Sequence, residues 1–187
     1  EGEAFAPLLR EQAPLATEEQ LLRVHPASHV RAILDTRPAE GDQVALDADT
    51  VMSAGSAEAA LRSAGGAVMG VDAVMQGWAR TAFVATRPPG HHAEPKRAMG
   101  FCLFSNVALA ARHLQHAHGL DRVGIVDFDV HHGNGTQACL EDDPRKLFIS
   151  LHQHPRTCYP GSGYEWETGS RAGEGLTLNF PFAPGAG

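Results

Sequence analysis

Four short apolar runs, at 81–86, 123–130, 147–151 and 176–180, punctuate the second half of this chain. Stretches of helical spacing or loop composition separate them. Strands kept apart in this way cannot pair as tight hairpins, so the pattern predicts a parallel α/β sheet with helices on both faces. In such a sheet the chemistry collects just beyond the carboxyl ends of the strands. The helices announce themselves by their caps and periods. Thr17-Glu18-Glu19-Gln20 is a capping box that opens a short helix ended by Pro26, and Ser28 is placed to cap a second helix running to Asp35. Residues 38–49 are polar, with turn formers at Gly41 and Asp42, and read as loop. From 56 to 76, Ala60, Leu61, Ala64, Val68, Val71 and Met75 recur at helical spacing, with Gly77 as the stop. Gly65, Gly66 and Gly70 inside that helix imply close packing against a neighbour. Val107, Ala110, Ala111 and Leu114 line a further helix that Gly119 ends.

Composition narrows the function classes. The chain has 187 residues, 43% hydrophobic and 20% charged, which suits one globular domain with a proper core. A net charge of −7 and a pI near 5.8 argue against direct nucleic-acid binding. Cys102, Cys139 and Cys158 are odd in number and contain no C-x-x-C pair, so neither a disulfide framework nor a thiolate zinc site is expected. A reducing compartment, the cytoplasm, follows. No run approaches the roughly 18 apolar residues needed to span a bilayer.

Two strand ends are rich in chemistry. After the first run comes Arg87-Pro88-Pro89-Gly90-His91-His92, where two prolines stiffen the approach and Gly90 allows a sharp turn. Adjacent imidazoles can hold different protonation states, which suits acid/base work near neutral pH. The second run and its exit read Asp127-Phe128-Asp129-Val130-His131-His132-Gly133-Asn134-Gly135. Alternation along a strand would place Asp127, Asp129 and His131 on one face. A carboxylate and an imidazole two residues apart can reach one metal ion, and two carboxylates together call for a cation between them.

These segments, with Gly100-Phe101-Cys102-Leu103-Phe104-Ser105-Asn106, Ser150-Leu151-His152 and Tyr159-Pro160-Gly161-Ser162-Gly163, resemble the histone deacetylases, most closely the class II enzymes and their bacterial amidohydrolase relatives. The resemblance implies an arginase/deacetylase-like α/β fold, a parallel sheet flanked by helices, with one catalytic Zn²⁺ and a structural K⁺. Carried over by position, Asp129 and His131 are zinc ligands and His91 and His92 are the catalytic pair, with His92 moving the proton. Asp127 holds His91 and, with Ser150, helps bind potassium, while Asn134 sits behind His92. Gly100, Phe101 and Tyr159 line a narrow substrate channel. Tyr159 stands where the family usually has Phe, which changes the polarity of that channel.

The resemblance further implies that residues 1–187 are a partial catalytic domain. The family's first strand, a third zinc ligand (an aspartate) and a late carbonyl-holding tyrosine are not found in it. The implied reaction is zinc-dependent hydrolysis of an acetylated amine, acetyl-lysine in proteins or alternatively an acetylated polyamine, and the 187-residue segment alone is expected to be inactive. A non-catalytic metal-binding relative would have lost His91, His92, Asp129 or His131. A di-manganese ureohydrolase would lack the histidine pair. Nothing in the sequence fixes an oligomeric state.

Other residues carry plainer expectations. His113, His116 and His118 cluster at a helix end, where the helix dipole accounts for them without a metal. His25 and His29 are expected at the surface, His152 packed near the site and His154 in a loop. Cys102 is expected to be a buried, inert thiol. Asp47 and Asp49 read as ordinary loop carboxylates, with the resemblance offering one of them as an acidic rim that grips substrate backbone.

Overall fold

A computed structural model describes residues 6–186. The chain opens with α1 (Glu18–Leu22), whose capping box forms as the sequence predicts: Thr17 accepts from the Gln20 amide, and the Gln20 side chain accepts from the Thr17 amide. Helix α2 (Ala27–Asp35) follows. Its N-cap is Pro26, so Ser28 lies inside the helix instead of capping it. The expected loop at 38–49 contains β1 (Gln43–Ala45), which pairs antiparallel with β2 (Val51–Ser53). Two strands of three residues each, mostly exposed, leave almost no periodic signal.

Helix α3 (Ser56–Met75) ends where Gly77 adopts a positive φ, as expected. Its glycines are contact points. A Cβ on Gly65 would run into the Pro14 carbonyl and the Ala16 backbone nitrogen, and one on Gly66 or Gly70 would press on Val84. The run at 81–86 is not a buried strand. It finds no ladder partner among the described residues, is largely exposed, and lies along the glycine face of α3. Ala82, Val84 and Thr86 meet the α3 glycines, whereas Phe83 is 93% exposed.

Helix α4 (Asn106–His118) closes on Gly119 in the left-handed region. It buries Ala108, Leu109 and Ala111, whereas Val107, Ala110 and Leu114 line an open apolar cleft against α3 and Val84. Leu109 belongs to the core built from Leu21, Val30, Ile33, Met52, Ala64 and Phe104. Ala108 and Ala111 belong to a second core with Val123, Ile125, Leu140 and Phe148. One helix thus joins both cores.

The second core covers a sheet of β3 (Val123–Asp127), β4 (Lys146–Gln153) and β5 (Thr177–Phe182), all parallel in the order β3-β4-β5. The strand expected at 123–130 stops at Asp127, which frees the following residues to turn. Helix α5 (Asn134–Leu140), not foreseen, connects β3 to β4. Its opening Asn-Gly has poor helix propensity, and its seven residues are too short for a clear period. Helices α4 and α5 pack on one sheet face. The other face carries Val126, Leu147, Leu178 and Phe180 in register, each more than a third exposed. No helix among the described residues is long and apolar enough to cross a membrane.

Candidate active site

The site assembles at the carboxyl end of β3, where the chain leaves the sheet. Asp127 is the last strand residue and its side chain points toward the loop at 87–92. Its Oδ2 lies 3.0 Å from His91 Nδ1, and its Oδ1 accepts the Asp129 amide at 3.1 Å. Gly133 approaches so closely that a Cβ there would collide with the Asp127 carboxylate. The next residue, Asn134, opens α5 and directs Oδ1 to His92 Nδ1 at 2.8 Å. Its amide nitrogen donates to Glu94 Oε1 at 3.0 Å. That second bond fixes which end of the carboxamide faces the ring, so His92 Nδ1 carries the proton and Nε2 keeps its lone pair.

The two rings stand 4.0 Å apart between centroids but meet different environments. Burial pulls the pKa of His91 down, and the hydrogen bond and charge of Asp127 more than reverse it, so the net shift is upward. His92 is buried and lies beside His91, which together push it down to about 4 against the weaker pull of Asn134. His92 is therefore the neutral ring of the pair at physiological pH.

Asp129 and His131 leave the strand's alternation behind, yet the turn brings them together. Asp129 Oδ1 lies 2.9 Å from His131 Nδ1 and also accepts the His131 amide at 2.8 Å. Both side chains remain nearly half exposed, at 47% and 41%. Burial raises the Asp129 carboxyl, but the two hydrogen bonds from His131 bring it below its ordinary range. An oxygen and an imidazole nitrogen this close, both reachable from solvent, fit two positions of a zinc coordination sphere. Among the described residues they do not form part of a cluster of three or more metal-ligating groups.

Tyr159 stands edge-on to His92, centroids 5.0 Å apart, and 6.2 Å from the His131 ring. Burial and the charges of Asp49 and Asp47 push its phenol up to about 12. Gly100 has φ +56, and a Cβ on it would strike the His92 ring, so only glycine lets the loop lie against that imidazole. Phe101 follows with φ 65 and is 64% exposed. Ser150 sits opposite Asp127 in the β3–β4 ladder and is fully buried, its hydroxyl 2.8 Å from His152 Nδ1.

Several neighbours escaped the sequence reading. Asp49 and Asp47 are not merely solvated. Asp49 accepts the Gly100 amide at 3.1 Å, Thr50 accepts that of Phe101 at 3.0 Å, and Asp47 holds Arg97 through two nitrogens. The β1–β2 hairpin presents these groups, and its weak pattern hid them. His25 and His29 are buried, not superficial. His25 takes the Ser105 amide and donates to the Pro95 carbonyl, while His29 donates to the Leu103 carbonyl. Apolar cover from Phe104, with backbone partners for the polar edges, outweighs their hydrophilicity. His152 is buried, as expected, between Ser150 and the Gly163 carbonyl. Cys102 is also buried, with its thiol pushed up to about 12.

Comparison with known proteins identifies the family. The histone deacetylase domain family matches residues 3–187. The chain is 45% identical over 177 residues to a histone deacetylase-like amidohydrolase of Pseudomonas aeruginosa, covering 94% of this chain and 45% of that protein. A probable deacetylase of Archaeoglobus fulgidus is 42% identical over 172 residues, covering 92% of this chain and 46% of that protein. The crystal structure of the HDA15 HD domain superposes with a TM-score of 0.88 at 39% identity, covering 96% of this chain and 52% of that one. The chain thus spans about half the length of the relatives it matches. On sequence and on fold, it belongs to the histone deacetylase family.

Proposed function

We propose that this chain carries the acid/base half of a zinc-dependent deacetylase that hydrolyses the amide of acetyl-lysine in proteins. The carrying observation is the pair of touching imidazoles with unlike partners, a carboxylate behind His91 and a carboxamide behind His92, beside the Asp129–His131 donor pair. When bound by Asp129 and His131, a zinc ion supplies Lewis acidity toward the amide carbonyl and its attacking water. His92 then takes the proton of that water on Nε2, the nitrogen that Asn134 leaves free, and returns it to the leaving amine. His91, drawn toward its charged form by Asp127, keeps His92 neutral until that transfer and places a positive edge near the developing oxyanion.

Gly100, Phe101 and Tyr159 form the walls of the proposed channel for the acyl-lysine stem. A third zinc ligand and the carbonyl-holding tyrosine are assigned to the part of the relatives' length that this chain does not span. A potassium ion is proposed near Asp127 and Ser150, where the ladder pairs a carboxylate with a buried hydroxyl. The net charge of −7 disfavours direct nucleic-acid contact, and three free cysteines fit a reducing cytoplasm. An acetylated polyamine is the alternative substrate of the same chemistry.

The test uses the full-length protein. It is expected to release acetate from an acetyl-lysine peptide, to lose that activity to a chelator, and to regain it with Zn²⁺. Undiminished turnover in protein shown by elemental analysis to be free of zinc would overturn the mechanism. Faster turnover of acetylspermidine than of every peptide tried would move the substrate to the polyamines.

A further inference from the structure

The histidines at the end of α4 are not disposed as a helix-dipole cluster alone. Two of them converge on a carboxylate of another helix. Asp72 Oδ1, on α3, lies 2.8 Å from His113 Nε2 and 2.7 Å from His118 Nε2. His116 takes no part and faces Glu19 from an exposed position. The three donor atoms lie within 4.8 Å of one another. The side chains are 30%, 8% and 15% exposed for Asp72, His113 and His118, so the group is fixed by packing yet open on one side.

We propose that Asp72, His113 and His118 form a second metal site, taking Zn²⁺ or a similar borderline transition-metal cation, with water in the remaining position. Two imidazoles and one carboxylate suit zinc, and they suit magnesium or calcium poorly. Tetrahedral bonds of roughly 2.0–2.1 Å set ligand atoms about 3.3 Å apart, so the two edges from Asp72 need to open by about half an ångström, while the two imidazole nitrogens already lie within 4.8 Å of each other. The ion would clamp α3 to α4 beside the apolar cleft that Val71, Met75 and Leu114 line. This proposal is independent of the deacetylase reading, since it uses none of the residues of that site.

Metal binding exchanges protons. Each imidazole must offer its Nε2 lone pair, so its remaining proton moves to Nδ1 and one Nε2–H···O bond to Asp72 is given up per ring. For His113 this meets a competitor: Arg23 Nη1 lies 2.8 Å from His113 Nδ1 and needs a lone pair there. Arg23 also holds Glu19 through Nη2 at 2.9 Å, which gives the guanidinium somewhere to turn. A group that accepts the Nδ1 proton would favour the metal-bound tautomer, as outer partners of ligating histidines usually do.

The decisive experiment uses the full-length protein carrying D129A and H131A, with Zn²⁺ as the probe. That background is expected to retain one equivalent of zinc after dialysis. Excess zinc should raise its Tm by about 3 °C or more, the scale for a ligand at 100 times its Kd in a protein of twice this length. X-ray absorption should show two imidazoles on the retained ion. H118Q should abolish the retained equivalent and the Tm rise, whereas R23Q should tighten binding by about tenfold. No retained zinc, retention unaltered by H118Q, or affinity unchanged or weakened by R23Q would each overturn the proposal. The R23Q and absorption measurements decide the matter even if H118Q does not fold.

Discussion

His91 and His92 share one intrinsic pKa, and what meets each Nδ1 separates them. A carboxylate partner draws His91 upward, while burial and the adjacent His91 lower His92 to about 4, and its carboxamide partner pulls back too weakly to undo that. This division makes the roles of neighbouring side chains separable by mutation. His92→Ala is expected to lower kcat of the full-length protein by roughly 10²-fold or more, with zinc content close to wild type. Asp129→Ala is expected to lose one equivalent of zinc relative to wild type. Paired kinetics and elemental analysis check both, and zinc lost from the His92 variant would mean that a ligand had been mistaken for the base. At this scale the sequence was most informative. His91, His92, Asp127, Asn134, Asp129 and His131 all lie in two compact motifs, and the fold brings those motifs together. Residues outside those motifs were illegible. Asp72 is 41 residues from His113, and no local pattern links them.

Elements with strong local signals were the readable ones. Helices α1, α3 and α4 carry a capping box, a sustained period or a glycine stop, and these act within a few residues of the backbone they shape. The β1–β2 hairpin and α5 are too short to establish a period, and the apolar run at 81–86 touches the glycine face of α3 through Ala82 and Val84 with no strand partner among the described residues. The buried His25 and His29 stitch the start of α2 to the loop at 95–105, and they give that junction a pH dependence. Burial first, then the neighbouring ring, lowers His25 to about 4, and burial lowers His29 as well. A folded-state pKa below the unfolded value means that the neutral ring favours folding. The contribution is complete above about pH 6.5 and erodes as pH falls toward 4, because the unfolded chain binds a proton that the fold refuses. For His25 the loss across that window is on the order of 3 kcal/mol. His25→Phe in the full-length protein should therefore show a smaller drop in Tm between pH 7.5 and pH 4.5 than wild type. An equal drop would place the acid sensitivity elsewhere.

At the scale of the whole chain, one face of the β3-β4-β5 sheet is exposed among the described residues. Val126, Leu147, Leu178 and Phe180 form an apolar band, and the outer edges of β3 and β5 have no strand partner among the described residues. Such a surface binds other apolar surfaces, and open edges invite further strands. Expressed alone, the 187-residue segment is expected to aggregate and to bind zinc weakly at Asp129 and His131, two of the three protein ligands a catalytic zinc usually has. It should show no measurable turnover on a fluorogenic acetyl-lysine substrate. Light scattering, zinc titration and that assay test the expectation, and turnover comparable to the full-length protein would show that the segment already holds a whole active site. The two halves of the site also differ in how far apart their members lie along the chain. Asp129 and His131 touch across two residues, whereas His91–Asp127 and His92–Asn134 close separations of 36 and 42 residues. Closing the longer loops costs more entropy and waits on the sheet. The donor pair needs only a local turn after β3, whereas the acid/base pair needs two distant motifs held together, so loosening the packing between the motifs separates His91 from Asp127 and His92 from Asn134 while leaving Asp129 beside His131.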